Sequence, residues 1–214
     1  MAEPRPAALP PAERTIGQLV AESIRFYGDH FWSALRLGVA PAIAAVVGAN
    51  VSRRTTFIVS PTVFGALLSA TFVYASVLVL HRSPGPRRLV VAWLAGWVAF
   101  VPVTFLVDAY ILPGLVWVVA FALLVPVLVA EDAAVPAAIS RAARLARADL
   151  VHQVGSLLTL AVVVFLTQAV LAFVLRGFGN TAEWVAYSLA SVVVSPLLFI
   201  GAALLYGDQA ARVE

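Results

Sequence analysis

No charged residue lies between Leu112 and Ala130, and the stretch that follows, to Leu150, then places arginines at 141, 144 and 147. An apolar helix of about 20 residues matches the roughly 30 Å hydrocarbon core of a bilayer. A basic segment directly after it stays on the side of the membrane where arginine is retained. Together the two halves constrain both the solvent of the fold and the direction of its threading.

The rest of the chain agrees with lipid as solvent. Of its 214 residues 62% are hydrophobic and 12% charged, whereas a soluble domain is about half apolar and about a quarter charged. A single soluble core cannot hide that much apolar surface. Cysteine is absent, which removes disulfides, thiolate nucleophiles and cysteine metal sites. Lysine is also absent, so all 14 basic residues are arginine, and with the abundant alanine this suggests a bacterial source. Too few of them lie outside the apolar runs for a nucleic-acid surface, and membrane lipid is the expected anionic partner.

The expected fold is all-α: a polytopic membrane protein with six transmembrane helices and interfacial amphipathic helices. Residues 1–14, rich in proline and alanine, lack the apolar core of a signal peptide and read as a disordered cytosolic tail. Residues 15–214 form one domain, with spans at about 31–49, 57–80, 89–111, 112–130, 154–175 and 182–206. Arg36 sits near the start of the first span, where its long side chain can snorkel to the interface. Runs three and four are nearly continuous. One helix through both would be about twice the bilayer thickness, so Pro113 and Gly114 are the expected reversal point.

Two amphipathic helices are expected outside the spans, over 15–28 and 133–150. In the first, Ile16, Leu19, Val20, Ile24, Phe26 and Tyr27 share one half of the wheel, and Gln18, Glu22 and Arg25 the other. In the second, Val135, Ile139, Ala142, Ala146 and Leu150 oppose Arg141, Arg144 and Arg147. Six spans divide the arginines eleven to three. Arg53, Arg54 and Arg176 stand on one side and all others on the second. The positive-inside rule then puts both termini in the cytosol of a bacterial inner (plasma) membrane.

Candidate functional residues are few. Arg141, Arg144 and Arg147 form either a docking surface for anionic lipid or an acidic partner, or a connector whose arginines only set orientation. Glu131 and Asp132, at the exit of span four, are expected to pair with Arg141, Arg144 or Arg88 and orient that helix. Asp108 lies about one turn from the reversal, within reach of interfacial water or an arginine. Gln168 with Ser188, Ser191 and Ser195 are interior polar groups. The Ser191/Ser195 and Gly65/Ser69 spacings let helices approach closely. Pro102 and Pro196 interrupt spans three and six. His30, His81 and His152 sit at span ends without ligand spacing, so no metal is expected, and no other cofactor either. No phosphate-binding loop, dinucleotide fingerprint or nucleophile elbow is present.

Some of these residues form a pattern. Ile16-Gly-Gln-Leu-Val-Ala-Glu-Ser-Ile-Arg-Phe-Tyr27 followed by Phe31 resembles the opening helix of the glycerophosphoryl diester phosphodiesterase membrane-domain family. Leu112-Pro-Gly114 is similar to that family's Pro-Gly turn. Pro126 to Glu131, then Ala138-Ile-Ser-Arg141 and Arg144-Leu145, resembles its proline and glutamate followed by Ala-Leu-x-Arg-Ser. Ala142 departs from the usual serine and Ala148 from the common glycine. In fused members a separate soluble barrel carries the phosphodiesterase chemistry. The resemblance therefore implies a stand-alone six-helix membrane domain and gives no ground for expecting phosphodiesterase activity.

The functional expectation is a non-enzymatic membrane protein. It scaffolds or regulates a membrane-protein partner, a second copy, or lipid through the arginine-bearing helix. A small permease subunit is the alternative, and requires a polar cavity at mid-membrane. A membrane-embedded lipid enzyme is the third, and requires Glu131, His81 and His152 to converge.

Overall fold

The computed structural model describes residues 10–52, 54–55, 59–109, 111–175 and 180–213, all of them helix and connecting loop without a strand. The helices are α1 (Ile16–Asp29), α2 (Phe31–Leu35), α3 (Val39–Asn50), α4 (Gly65–Leu80), α5 (Pro86–Ala109), α6 (Ile111–Phe121), α7 (Leu124–Ala130), α8 (Val135–Ala148), α9 (Leu150–Leu175), α10 (Asn180–Val194) and α11 (Pro196–Ala211). Four stretches are long and apolar enough to cross a membrane: Ser60–Leu80, Pro86–Val103, Leu150–Leu171 and Ser188–Ala211. Two more apolar helical stretches, Phe31–Ala44 and Val116–Ala130, are shorter.

The long helices divide into two kinds. About half of Ser60–Leu80 and of Ser188–Ala211 is buried, against 11% of Pro86–Val103 and 17% of Leu150–Leu171. Thus α4 and α11 form the centre, and α5 and α9 lie outside with apolar faces turned outward. Phe165 and Val98, both 68% exposed, belong to such faces. An apolar outer surface is the expected finish for a helix whose solvent is lipid.

Three expected spans are not single helices, and a proline lies just beyond each break. A proline at position i cannot donate to the carbonyl of i−4. Pro41, Pro126 and Pro196 therefore leave the carbonyls of Leu37, Ala122 and Val192 without their helical partners. The chain breaks at a 3-10 turn over Arg36–Gly38, at Ala122–Leu123 and at Ser195. Pro102, expected to interrupt span three, lies inside a continuous α5. The reversal between α5 and α6 also differs from expectation. Pro113 and Gly114 are already inside α6, in its first turn, where a missing N–H costs no helical bond.

Close packing uses small residues and indole donors. Ser69 Oγ donates to the Trp93 carbonyl (2.7 Å), while Trp93 Nε1 donates to the Ala66 carbonyl (2.8 Å) and Trp97 Nε1 to that of Pro61 (2.7 Å). These bonds tie α5 to α4 and to the π-helical turn Ser60–Phe64 before it. A Cβ on Gly96 would lie 2.5 Å from Ser69 Oγ, so the Gly65/Ser69 face of α4 is a close-approach surface. Trp117 Nε1 joins α6 to the Ala99 carbonyl of α5 (2.6 Å).

The amphipathic helices form, with different seats. Thr15 and Gln18 make a reciprocal capping box that starts α1. α1 then runs antiparallel beside α11: Arg14 pairs with Asp208, Ser23 Oγ lies near Gly201, and Phe26 and Tyr27 pack on the cluster holding Ile200. Leu19 and Ser23 are fully buried and Ile24 is 53% exposed, so α1 is a packed member of the bundle. The buried stripe of α8 is Ala138, Ala142, Leu145 and Ala146, rotated from the expected one, since Ile139 is exposed. Part of the segment expected as a tail over 1–14 is ordered. Pro11–Glu13 form a 3-10 turn and Arg14 is anchored, while residues 1–9 lie outside the described ones.

Candidate functional site: the polar end of the bundle

Two linked charge clusters occupy one end of the bundle, where the N-terminal segment, the start of α5, the α7–α8 connection, the start of α9 and the end of α11 meet. The first is built on Glu131, at the stop of α7. Its Oε1 accepts from Arg141 Nε (3.1 Å) and from the Tyr206 hydroxyl (3.1 Å). Arg88 donates to Asp132 Oδ1 (2.7 Å) and to the Glu131 carbonyl. These contacts hold α8 against α11 and dock the α7–α8 connection on α5.

The second cluster is more deeply buried. Asp149 caps α9, with its Oδ1 accepting from the His152 N–H (2.8 Å) and its Oδ2 from Arg212. Gln209 Nε2 donates to the Asp149 carbonyl (3.0 Å), and Arg212 Nη2 to the Arg14 carbonyl (2.9 Å). Arg14 Nη1 donates to Oδ1 of Asp208 (3.0 Å), and His152 Nε2 lies 3.5 Å from Asp208 Oδ2. The Asp208 side chain is wholly buried. Arg14 is its hydrogen-bond donor among the described residues and Oδ2 has none, so one charged bond and the nearby His152 ring stand against a desolvation cost of several kcal/mol per ion. The cluster staples both ends of the described chain to the start of α9.

Sequence reasoning missed Asp208, Gln209, Asp149 and Arg14 as a group. The available signal was an acid and an amide, Asp208 and Gln209, at the end of an apolar run, four residues before Arg212.

The predicted residues fall in different places. Arg141 is engaged by Glu131. Arg144 and Arg147 are exposed and form no ion pair among the described residues. Gln168 Nε2 lies 3.5 Å from Ser191 Oγ, and Ser195 Oγ donates to the Ser191 carbonyl at the α10–α11 break. Ser191 and Ser195 are buried. Asp108 lies in α5, with its side chain outside the described ones, as are Arg53 and Arg176.

Glu131, His81 and His152 have separate partners. His81 ends α4 in the left-handed conformation (φ 49°), its Nδ1 3.1 Å from the Val79 carbonyl, and its ring lies 6.3 Å from that of His30. Burial pushes the Tyr27 phenol above its ordinary pKa, and its hydroxyl has no hydrogen-bond partner among the described residues. No group of three or more His, Cys, Asp or Glu placed to hold a metal ion occurs among the described residues.

Two open grooves flank the clusters. One of about 430 Å³ is lined by Arg14, Thr15, Asp149, His152 and Arg212. The other, of about 590 Å³, lies between the starts of α5 and α8 and is lined by Arg87, Arg88, Val91, Leu128, Asp132 and Val135, among others. No family model matches this chain, and no curated protein or solved structure matches it.

Proposed function

We propose that this is a non-enzymatic integral membrane protein that scaffolds or regulates a membrane partner through the basic end of its bundle. The observation that carries the reading is the division of labour on α8. One face is buried against the bundle, Arg141 is consumed by Glu131, and Arg144 and Arg147 stand exposed without an ion pair among the described residues. Arginines retained on a packed, rigid helix present fixed charge to an anionic surface.

In this reading the two shorter apolar stretches also cross. The protein then has six passes, with both termini and α8 on the cytosolic side of a bacterial inner membrane. The resemblance to the membrane domain of the glycerophosphoryl diester phosphodiesterase family fits such a six-pass domain. The permease alternative requires a polar cavity at mid-membrane, and Gly38 closes on the α10 backbone at the α10–α11 break, which narrows the space there. The enzyme alternative requires Glu131, His81 and His152 to share one site, and no contact among the three occurs among the described residues.

The test is capture of co-purifying membrane proteins in mild detergent, comparing the wild type with the double variant Arg144→Gln, Arg147→Gln. Both side chains are exposed, so thermal stability is expected to stay within about 0.5 kcal/mol. Partner affinity is expected to fall about thirtyfold, at roughly 1 kcal/mol per arginine near an anionic surface. Unchanged recovery of every partner reduces α8 to a connector.

A further inference from the structure

We propose that the groove between the starts of α5 and α8 binds the headgroup of an anionic glycerophospholipid, with an acyl chain lying along α5. The inference adds to the function above a specific ligand and a different residue, Arg87, and rests on that reading only for the membrane setting.

Three observations carry it. The groove is large enough for a small ligand, at about 590 Å³. It is basic above and apolar below. Arg87 is exposed and has no ion pair among the described residues, Arg88 is held by Asp132 and the Glu131 carbonyl, and Val91, Leu128 and Val135 supply the apolar wall. It also lies where two apolar helical stretches stop, since one begins at Pro86 and the other ends at Ala130. That is the depth at which phospholipid headgroups meet a membrane protein.

The apolar wall does not end at the groove. At about 100° per residue Arg87, Val91, Leu94 and Val98 fall on one stripe of α5. Leu94 is 42% exposed and Val98 68%. The stripe thus leads from a cation without an ion pair among the described residues down an open apolar face of a membrane-length helix. This continuity selects a lipid over an acidic protein segment, which would have no use for an apolar track inside the bilayer. Arginine suits a phosphodiester because its planar fork can donate two N–H bonds to one phosphate.

The experiment titrates the purified, delipidated protein in detergent with dioleoyl phosphatidylglycerol or dioleoyl phosphatidylcholine and counts bound lipid by native mass spectrometry. Wild type is expected to bind the anionic lipid about tenfold more tightly. Arg87→Gln is expected to weaken phosphatidylglycerol about fivefold and to leave phosphatidylcholine unchanged. Arg87→Lys is expected to retain more than half of the preference. Inorganic phosphate and glycerol phosphate, which lack acyl chains, are expected not to compete at equal concentration.

Equal binding of the two lipids, or wild-type phosphatidylglycerol binding by Arg87→Gln, overturns the proposal. So does displacement of the lipid by an acidic peptide, which assigns the groove to a protein. An equal loss in Arg144→Gln, Arg147→Gln also overturns it, because the attraction is then a property of the whole basic end. Failure of partner capture by α8 leaves this result standing, so the two readings fail separately.

Discussion

Replacing Gly38 by alanine is expected to destabilise the protein by at least about 3 kcal/mol, or to prevent folded protein from accumulating. Gly38 lies in the 3-10 turn between α2 and α3. A Cβ there would sit 1.9 Å from the Val192 carbonyl oxygen and 2.5 Å from that residue's carbonyl carbon and Cα. These are backbone atoms of α10, so no rotamer change can relieve the overlap. The carbonyl concerned is the one that Pro196 leaves without a helical donor. Two broken helices therefore meet at their breaks, and glycine is the residue that lets them.

Thermal unfolding in detergent micelles measures the loss. Gly207→Ala is the internal control. A Cβ at Gly207 meets nothing within 4 Å, and removing a mid-helix glycine is expected to raise stability by about 0.5–1 kcal/mol. Wild-type stability in Gly38→Ala would mean that α3 and α10 do not approach at their breaks.

The second large effect is expected at Asp208. Asp208→Ala removes the acceptor of Arg14 and the neighbour of His152 inside a buried cluster. Breaking a buried pair by deleting one partner costs about 3–5 kcal/mol, because the surviving charge stays desolvated. Arg14 keeps 14% of its side-chain exposure and can reach some water, which puts the expected loss near the lower bound of about 3 kcal/mol. The segment before α1 loses its anchor at the same time, so limited proteolysis is expected to cut between residues 10 and 15 in the variant and not in the wild type. The double variant Arg14→Met, Asp208→Leu is expected to recover more than half of the loss, since an apolar pair needs no compensation. A double variant no more stable than Asp208→Ala would show that His152 or Arg212, and not Arg14, is the main partner.

The long apolar helices were legible in the sequence because a bilayer demands an unbroken apolar run, and no tertiary contact is needed to recognise one. The amphipathic helices were legible for a related reason, since a periodic pattern marks a helix whatever covers its face. Which face is covered was harder. On α8 the stripe includes Ala138, Ala142 and Ala146, whose small side chains give a weak signal, while Ile139 points outward. In a protein whose outside is partly lipid, an outward isoleucine carries no penalty.

The helix breaks follow from a local rule, the carbonyl four residues before each proline, yet the rule alone does not separate Pro196, which breaks a helix, from Pro102, which does not. The Asp208 cluster was not legible. Arg14 and Asp208 are 194 positions apart, and their meeting depends on α1 lying beside α11. Of the candidate site, the Glu131 and Asp132 environment lies close in sequence to the arginine helix that it orients, so spacing sufficed to list its members.

The proposed topology has six apolar segments crossing the membrane and one basic end in the cytosol. Single-cysteine labelling tests it directly, because the chain contains no cysteine of its own. Cysteines placed at Ser52, Ser83, Ser140 and Val213 are exposed to a membrane-impermeant maleimide in sealed vesicles of known orientation. With that topology Ser52→Cys is expected to label only from the outer side, and Ser83→Cys, Ser140→Cys and Val213→Cys only from the cytosolic side. Labelling of Ser83→Cys and Ser140→Cys from opposite sides would contradict it, because the Val116–Ala130 stretch would then not cross.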